Sequence, residues 1–436
     1  MEVKVTPKPD KSQVELVIAS TPQEFAPYID KAAKKLSTES PIKGFRPGKV
    51  TAAVAMESFG KDRVLHEALD LGMPKLFVQA VLDHDIEAIA RPSISVTTLS
   101  VEEGLAFTAV VDVVPQVTLG DVSKITVGKR PVEVTDEEVD KELKLLAKMR
   151  ATPLDVARPA QKGDIVTLDF RVSIAGKVLE GGESKNHPVH VGEGQFVPGF
   201  EDKLIGINAG DTREFTISFP ADYAQKDLQG KTADVVVTAH AVQQQMLPEL
   251  NDDFAKKVGK FETMTELKDM LKKNMGHEKE HKELDRFHAE LSERLTEISS
   301  FGHIPDILID REIDSRVKEF SQMLSYQQKT VDDYMQQHNK SLQDIREEMR
   351  PASEKGVKIA LALRAFATQE KITAEEADVE KQLNTYLSRY SSPEAAKEEI
   401  DVEDLRDNIS TMLRNQKTLK RLEELAKVTT EPTKAA

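Results

Sequence analysis

Over the first 114 residues the apolar positions switch between two periods. Val3 and Val5, then Val14, Leu16 and Ile18, alternate with polar neighbours, and the Pro-containing stretch 7–10 between them predicts a β-hairpin. Thr21-Pro22-Gln23-Glu24 reads as a helix start, with Thr at the N-cap, Pro at the first helical position and Glu at the third. Phe25, Tyr28, Ile29, Ala32, Ala33 and Leu36 then share one helical face. A Gly/Pro-rich loop over 39–49, a second helix over 51–84 and closing strands over 94–99 and 105–114 complete a small α+β unit, residues 1–114.

Residues 115–155 read as a connector, irregular or extended at Val127-Gly128-Lys129-Arg130-Pro131. Its one helix opens on the capping box Thr135-Asp136-Glu137-Glu138 and runs to Met149. Over 156–245 the alternation returns at Val166, Leu168, Phe170 and Val172 and again at Phe215, Ile217 and Phe219. Dense glycines there predict a strand-rich domain with tight turns. From 246 to 436 the period becomes helical. One stripe is Leu284, Phe287, Leu291, Leu295 and Ile298; another is Ile309, Ile313, Val317, Phe320 and Leu324. Ile359, Leu363 and Phe366, then Leu383 with Leu387, continue the pattern as separate amphipathic helices. The fold class is therefore α+β multidomain with an extended all-α C-terminal region.

Composition narrows the chemistry. The chain has 436 residues, room for two to four domains. Sixty Lys and Arg against 75 Asp and Glu leave a formal charge of −15, which argues against a uniformly basic nucleic-acid binder. The absence of Cys removes disulfides, thiolate metal sites and cysteine nucleophiles. Without Trp, and with 5% aromatic residues, several small cores fit better than one large one. No apolar h-region follows Met1, no run approaches the ~18 apolar residues of a membrane span, and the last eight residues read as a polar fray. The expectation is a soluble cytoplasmic protein with no membrane or DNA partner.

Two motifs resemble catalytic signatures. His277-Glu278-Lys279-Glu280-His281 matches the zinc-protease pattern of two histidines one helical turn apart with a glutamate between. Its flanks are densely charged, and a solvated helix face is the preferred reading, with no metal. Gly44-Phe45-Arg46-Pro47-Gly48-Lys49-Val50-Thr51 approaches a phosphate loop, but the glycine spacing is one short and no hydroxyl residue follows Lys49. No nucleotide or other cofactor is expected.

That loop still needs an account. Between positions 31 and 49 stand Lys31, Lys34, Lys35, Lys43, Arg46 and Lys49 against Glu39 alone, and Phe45 sits among cations in a flexible segment. Composition leaves two readings open: a docking element with an apolar anchor, or an ordinary solubilising surface.

Gly44-Phe45-Arg46-Pro47-Gly48-Lys49 closely resembles the signature loop of the trigger factor family of bacterial ribosome-associated chaperones. The resemblance implies docking beside the nascent-chain exit of the large ribosomal subunit, on a ribosomal protein and adjoining rRNA. Gly44, Phe45, Arg46, Pro47, Gly48 and Lys49 would form the contact, with Phe45 as anchor and Arg46 and Lys49 as charge partners. Pro47 and Thr51 depart from many members.

Gly181-Gly182, the run Val191-Gly192-Glu193-Gly194-Gln195-Phe196-Val197-Pro198-Gly199-Phe200-Glu201, and Phe219-Pro220-Ala221-Asp222-Tyr223 are similar to FKBP-type prolyl isomerases. By that resemblance Phe170, Phe196, Val197, Phe200 and Tyr223 line an apolar pocket, with Val197 near its floor and Glu180 at the acidic position. Leu179 and Val235 stand where many relatives carry Phe, so lowered or absent turnover is the alternative. Pro248-Glu249-Leu250-Asn251-Asp252-Asp253-Phe254, then Ile304-Pro305 and Leu308-Ile309-Asp310, resemble the family's C-terminal module, to which the resemblance also assigns the connector 115–155, making the isomerase domain an insertion.

The implied protein is an ATP-independent chaperone that holds nascent chains and isomerises X–Pro bonds. It is cytoplasmic and partly ribosome-associated, and a weak homodimer off the ribosome is implied by the family. Eight of the twelve Met lie beyond residue 245, which suits an adaptable binding surface as well as core gap-filling. The rivals are a zinc protease on His277 and His281, a periplasmic chaperone-isomerase, and a helical scaffold with an inactive middle domain.

Overall fold

A computed structural model describes residues 1–221, 223, 228–388, 390 and 400–431. The side chain of Glu180, residue Asp222 and the last five residues lie outside the described set. The chain divides into two compact units, one joining Met1–Pro131 to Leu284–Ala436 and the other Val132–Glu283.

In the first unit, β1 (Glu2–Lys8) and β2 (Gln13–Ser20) form the expected hairpin. They are followed by α1 (Pro22–Glu39), α2 (Ala52–Phe59), α3 (Lys61–Asp83), β3 (Ser93–Ser100) and β4 (Gly104–Asp112). The sheet is antiparallel in the order β1-β2-β4-β3. Thr21 caps α1 with the reciprocal Glu24 box. Phe25, Ile29, Ala32, Ala33 and Leu36 bury their face of α1 in one core with Leu16, Ile18, Leu105 and Phe107 of the sheet. Each buried Leu, Ile or Phe among them contributes about 1.5–3 kcal/mol.

The single helix expected over 51–84 is two. Gly60 adopts φ +89° and ψ 142°, outside helical space, so the chain turns between Phe59 and Lys61. Beyond this sheet come β5 (Val117–Thr118) and β6 (Thr126–Lys129).

The second unit holds α4 (Asp136–Met149), with the Thr135–Glu138 capping box formed, then β7 (Thr152–Asp155), β8 (Asp164–Ile174), β9 (Lys177–His190), β10 (Thr212–Ser218) and β11 (Thr232–Met246). Strand order is β10-β11-β8-β9, antiparallel throughout, with β7 on the distal part of β11. A short 3-10 turn, Glu201–Leu204, buries Leu204 against the sheet. α5 (Asp252–Val258) and the first part of α6 (Met264–Glu297) pack Phe254, Ala255 and Leu267 against Val139 and Leu143 of α4.

The remaining elements belong to the first unit. They are β12 (Ser300–Phe301), α7 (Asp306–Tyr326), α8 (Val331–His338), α9 (Leu342–Gln369), α10 (Glu376–Leu387), α11 (Val402–Leu425) and β13 (Lys427–Thr430). Phe287, Leu291 and Leu295 of α6, Phe366 of α9 and Leu422 of α11 share a core with Ile125 and Val127. Leu284, counted in the same stripe, is 37% exposed and lies outside that core.

Two of the eight C-terminal residues expected to fray, Thr429 and Thr430, are instead held in a strand. Lys427–Thr430 pairs in parallel with Thr126–Lys129, fastened by Lys427 N–H to the Ile125 carbonyl (2.8 Å) and Glu431 N–H to the Lys129 carbonyl (3.1 Å). Backbone pairing, not side-chain period, orders Thr429 and Thr430. No helix among the described residues is long and apolar enough to cross a membrane.

Candidate functional site

The loop between α1 and α2 is anchored at its ends and exposed at its centre. Ile42 packs on the N-terminal core and Val50 is buried in it. Two successive turns close the span, Phe45 N–H to Ile42 O and Lys49 N–H to Arg46 O, each 3.1 Å. Ser37 Oγ accepts from Gly48 N–H (3.1 Å) while donating to the Lys34 carbonyl (2.9 Å). Gly44 and Gly48 sit at φ +90° and +74°, a backbone region that L side chains rarely adopt, so both turns require glycine.

The outcome is a tip with Phe45 46% exposed and Lys43, Arg46, Pro47 and Lys49 exposed around it. Those three cations make no ion pair among the described residues. By contrast Lys35 is bound to Glu67 (2.5 Å), and the Lys31 ammonium lies over the Tyr28 ring.

In the second unit an aromatic cluster forms on one face of the sheet. β8 supplies Phe170, whose ring meets Phe196 and Phe200 edge-on at 6.0 and 6.1 Å. Phe196 and Phe200 stack at 4.7 Å, and Phe215 of β10 closes on Phe200 at 5.7 Å. Leu179, Val197 and Tyr223 are partly buried against the same core, and Tyr223 packs on Phe219 at 4.8 Å. Val235 is 1% exposed, cross-strand from Phe215 and Val172, and belongs to the sheet's core. Glu180 lies in β9, its side chain outside the described residues.

Three members of this constellation escape a sequence reading. Phe215 shows only core-type alternation, and His187, whose ring sits 5.7 Å from both Phe170 and Phe196, carries no signal at all. The third, Glu201, has a signal, since an acid follows a Gly-rich run. Its carboxylate accepts backbone N–H bonds from Gly192, Gly194, Gln195 and Phe196 at 2.7–3.0 Å. Burial pushes this carboxyl up, but the four donors outweigh burial and hold it below the usual carboxylate range. The loop bearing Phe196 is thereby tied to the turn bearing Phe200.

His277 and His281 are both exposed on α6. Between them Lys279 binds the Glu138 carboxylate at 2.7 Å, so this turn is used in packing α6 to α4. No cluster of three metal-ligating side chains occurs among the described residues.

Residues 1–146 match the model of the bacterial trigger factor protein, 263–424 that of the trigger factor C-terminus, and 156–242 that of FKBP-type peptidyl-prolyl cis-trans isomerase. Trigger factor of Carboxydothermus hydrogenoformans is 36% identical over 385 residues, covering 88% of this chain and 90% of that protein. The chain belongs to the trigger factor family. Trigger factor of Bacillus subtilis (strain 168) is 34% identical over 380 residues, covering 87% and 89%. A solved structure of the trigger factor chaperone aligns over 98% of this chain and 100% of its own, at 25% identity and a TM-score of 0.46. This trigger factor family chain thus carries an FKBP-type isomerase domain, with an N-terminal α+β region and a helical C-terminal region around it in sequence.

Proposed function

We propose that this chain docks at the nascent-chain exit of the large ribosomal subunit through the 44–49 loop, holds unfolded polypeptides without ATP, and isomerises X–Pro bonds. The observation that supports docking is the exposed tip: Phe45 between unpaired cations, on a backbone whose ends are fixed in the core. Phe45 would fill an apolar depression while Arg46 and Lys49 meet carboxylates or phosphates. The functional division runs 1–114 for docking, 156–245 for isomerisation, and 115–155 with 246–436 for holding, in the cytoplasm and partly on ribosomes.

The isomerase chemistry needs no nucleophile. Amide resonance imposes the ~18–20 kcal/mol barrier to rotation. A dry aromatic pocket strips water from the carbonyl and favours the twisted, less dipolar amide, and backbone donors stabilise it further. Phe170, Phe196, Val197, Phe200 and Tyr223 would provide that pocket, with Leu179 and Val235 shrinking its wall and Glu180 at its acidic position. The test is acceleration of cis–trans exchange in a short X–Pro peptide. Wild type should accelerate it, and Phe196→Ala, which removes half-buried aromatic surface worth about 1.5 kcal/mol or more, should lose about tenfold. No acceleration by wild type would leave a ribosome-associated holdase with an inactive isomerase domain.

A further inference from the structure

The five-stranded sheet of the second unit carries three histidines, and two of them are partnered. His190 Nδ1 lies 3.0 Å from the Gln245 side-chain amide, and His240 Nε2 lies 2.9 Å from Asp169 Oδ1. His187 differs. Its imidazole meets the Phe170 and Phe196 rings edge-on, both centroids at 5.7 Å, with interplanar angles of 89° and 85°. Neither of its ring nitrogens has a hydrogen-bond partner among the described residues. Phenyl rings offer no hydrogen-bonding atom in return, so His187 is a half-buried polar group set in an apolar wall.

A β-bulge puts it there. Between Phe170 and Leu168 the ladder steps two residues along β8, while β9 steps three, from Ser184 to His187. Regular pairing would set Asn186 opposite Leu168. The extra residue sets His187 there instead, on the face that holds buried Leu168 and Phe170. The bulge is fastened: Asn186 adopts φ +49°, and its N–H donates to Asp169 Oδ1 at 2.7 Å, the same oxygen that His240 meets. Such bulges re-aim a side chain beside a site. A left-handed residue held by a carboxylate is thus spent on presenting an imidazole to the aromatic cluster.

We propose that His187 is a specificity-determining residue of the isomerase pocket, favouring X–Pro bonds in which X carries a side-chain amide. The inference rests on the isomerase reading above and gives it a substrate class. A half-buried imidazole keeps its access to water only until a substrate covers it. An aliphatic X then leaves both nitrogens unpaired, whereas a carboxamide replaces the hydrogen bonds lost to water. The amide oxygen accepts and its NH2 donates, so it suits the donor and the acceptor nitrogen of a neutral imidazole in either tautomer. The proline ring is wholly apolar and belongs on the stacked Phe196 and Phe200.

The test uses the full chain and two short peptides that differ only in the residue before proline, Asn or the near-isosteric Leu. kcat/KM for cis–trans exchange is measured for both by NMR exchange spectroscopy. The quantity of interest is the Asn-to-Leu ratio within one protein sample, which does not depend on the fraction of that sample that is folded. His187→Phe should lower the ratio about fivefold, the scale of one neutral hydrogen bond. His187→Gln, which keeps a donor and an acceptor, should lower it less. A His187→Phe variant that loses equally on both peptides would mean that the ring only packs, and this overturns the inference. So does an unchanged ratio, or a larger loss on the Leu peptide. No acceleration of either peptide by wild type sinks the isomerase reading and this inference with it. Acceleration by wild type with a ratio indifferent to position 187 sinks this inference alone.

Discussion

Glu201 shows how one side chain can organise a site it does not line. Its four backbone partners fix the loop that carries Phe196, and they hold its carboxyl below the usual range despite burial. A carboxyl lowered in the folded state binds its proton more tightly when unfolded. The stabilisation is therefore fully present above the unfolded value, about 4.3, and is lost as pH falls through the folded value. Glu201→Gln turns an amide donor toward N–H groups that need acceptors. We expect a loss of about 1–3 kcal/mol in urea unfolding at pH 7 that shrinks toward pH 3, with reduced isomerase activity. A difference independent of pH would contradict this role. At this scale the sequence was partly legible. Phe170, Phe196 and Phe200, which the FKBP resemblance named, lie with their rings in contact. His187 does not follow from sequence, because a β-strand histidine acquires meaning only from the rings that the sheet brings beside it.

At the scale of elements, what is encoded locally was legible and what is encoded by distant pairing was not. Thr21 and Thr135 announce their helices because a capping box is written within four residues. The break at Gly60 hides inside an otherwise helical apolar pattern, since Gly alone does not tell a tolerated helix residue from one with positive φ. The strand Lys427–Thr430 is invisible because its partner lies some three hundred residues earlier and four residues carry no period. Gly60→Ala tests the break. Open space surrounds its would-be Cβ, so any cost is conformational, about 1–3 kcal/mol by thermal or urea unfolding. An unchanged midpoint would mean that the turn tolerates ordinary residues.

For the whole molecule, domain order was readable from composition: alternation, then dense glycine with alternation, then helical stripes. The family resemblance already assigns the connector 115–155 to the C-terminal module; that residues 1–114 share a compact unit with Leu284–Ala436 was not readable, because it depends on contacts between distant positions such as Arg364 with Glu87. The methionines beyond residue 245 divide between core and surface. Met264 and Met275 pack on the α4–α5–α6 core, while Met246, Met270, Met323 and Met412 are 43–50% exposed.

The central claim is that a net acidic chain reaches the ribosome through one small cationic, aromatic tip. Phe45 and Arg46 are exposed and take no part in the core, so replacing both by Ala should leave stability within about 0.5 kcal/mol. The most direct measurement is cosedimentation of wild type and this double variant with bacterial ribosomes at low and moderate salt. The account predicts binding by wild type, weakened by salt, and its loss in a variant with an unchanged unfolding midpoint. Ribosome binding retained by the folded double variant, or absent from wild type at both salts, would contradict it.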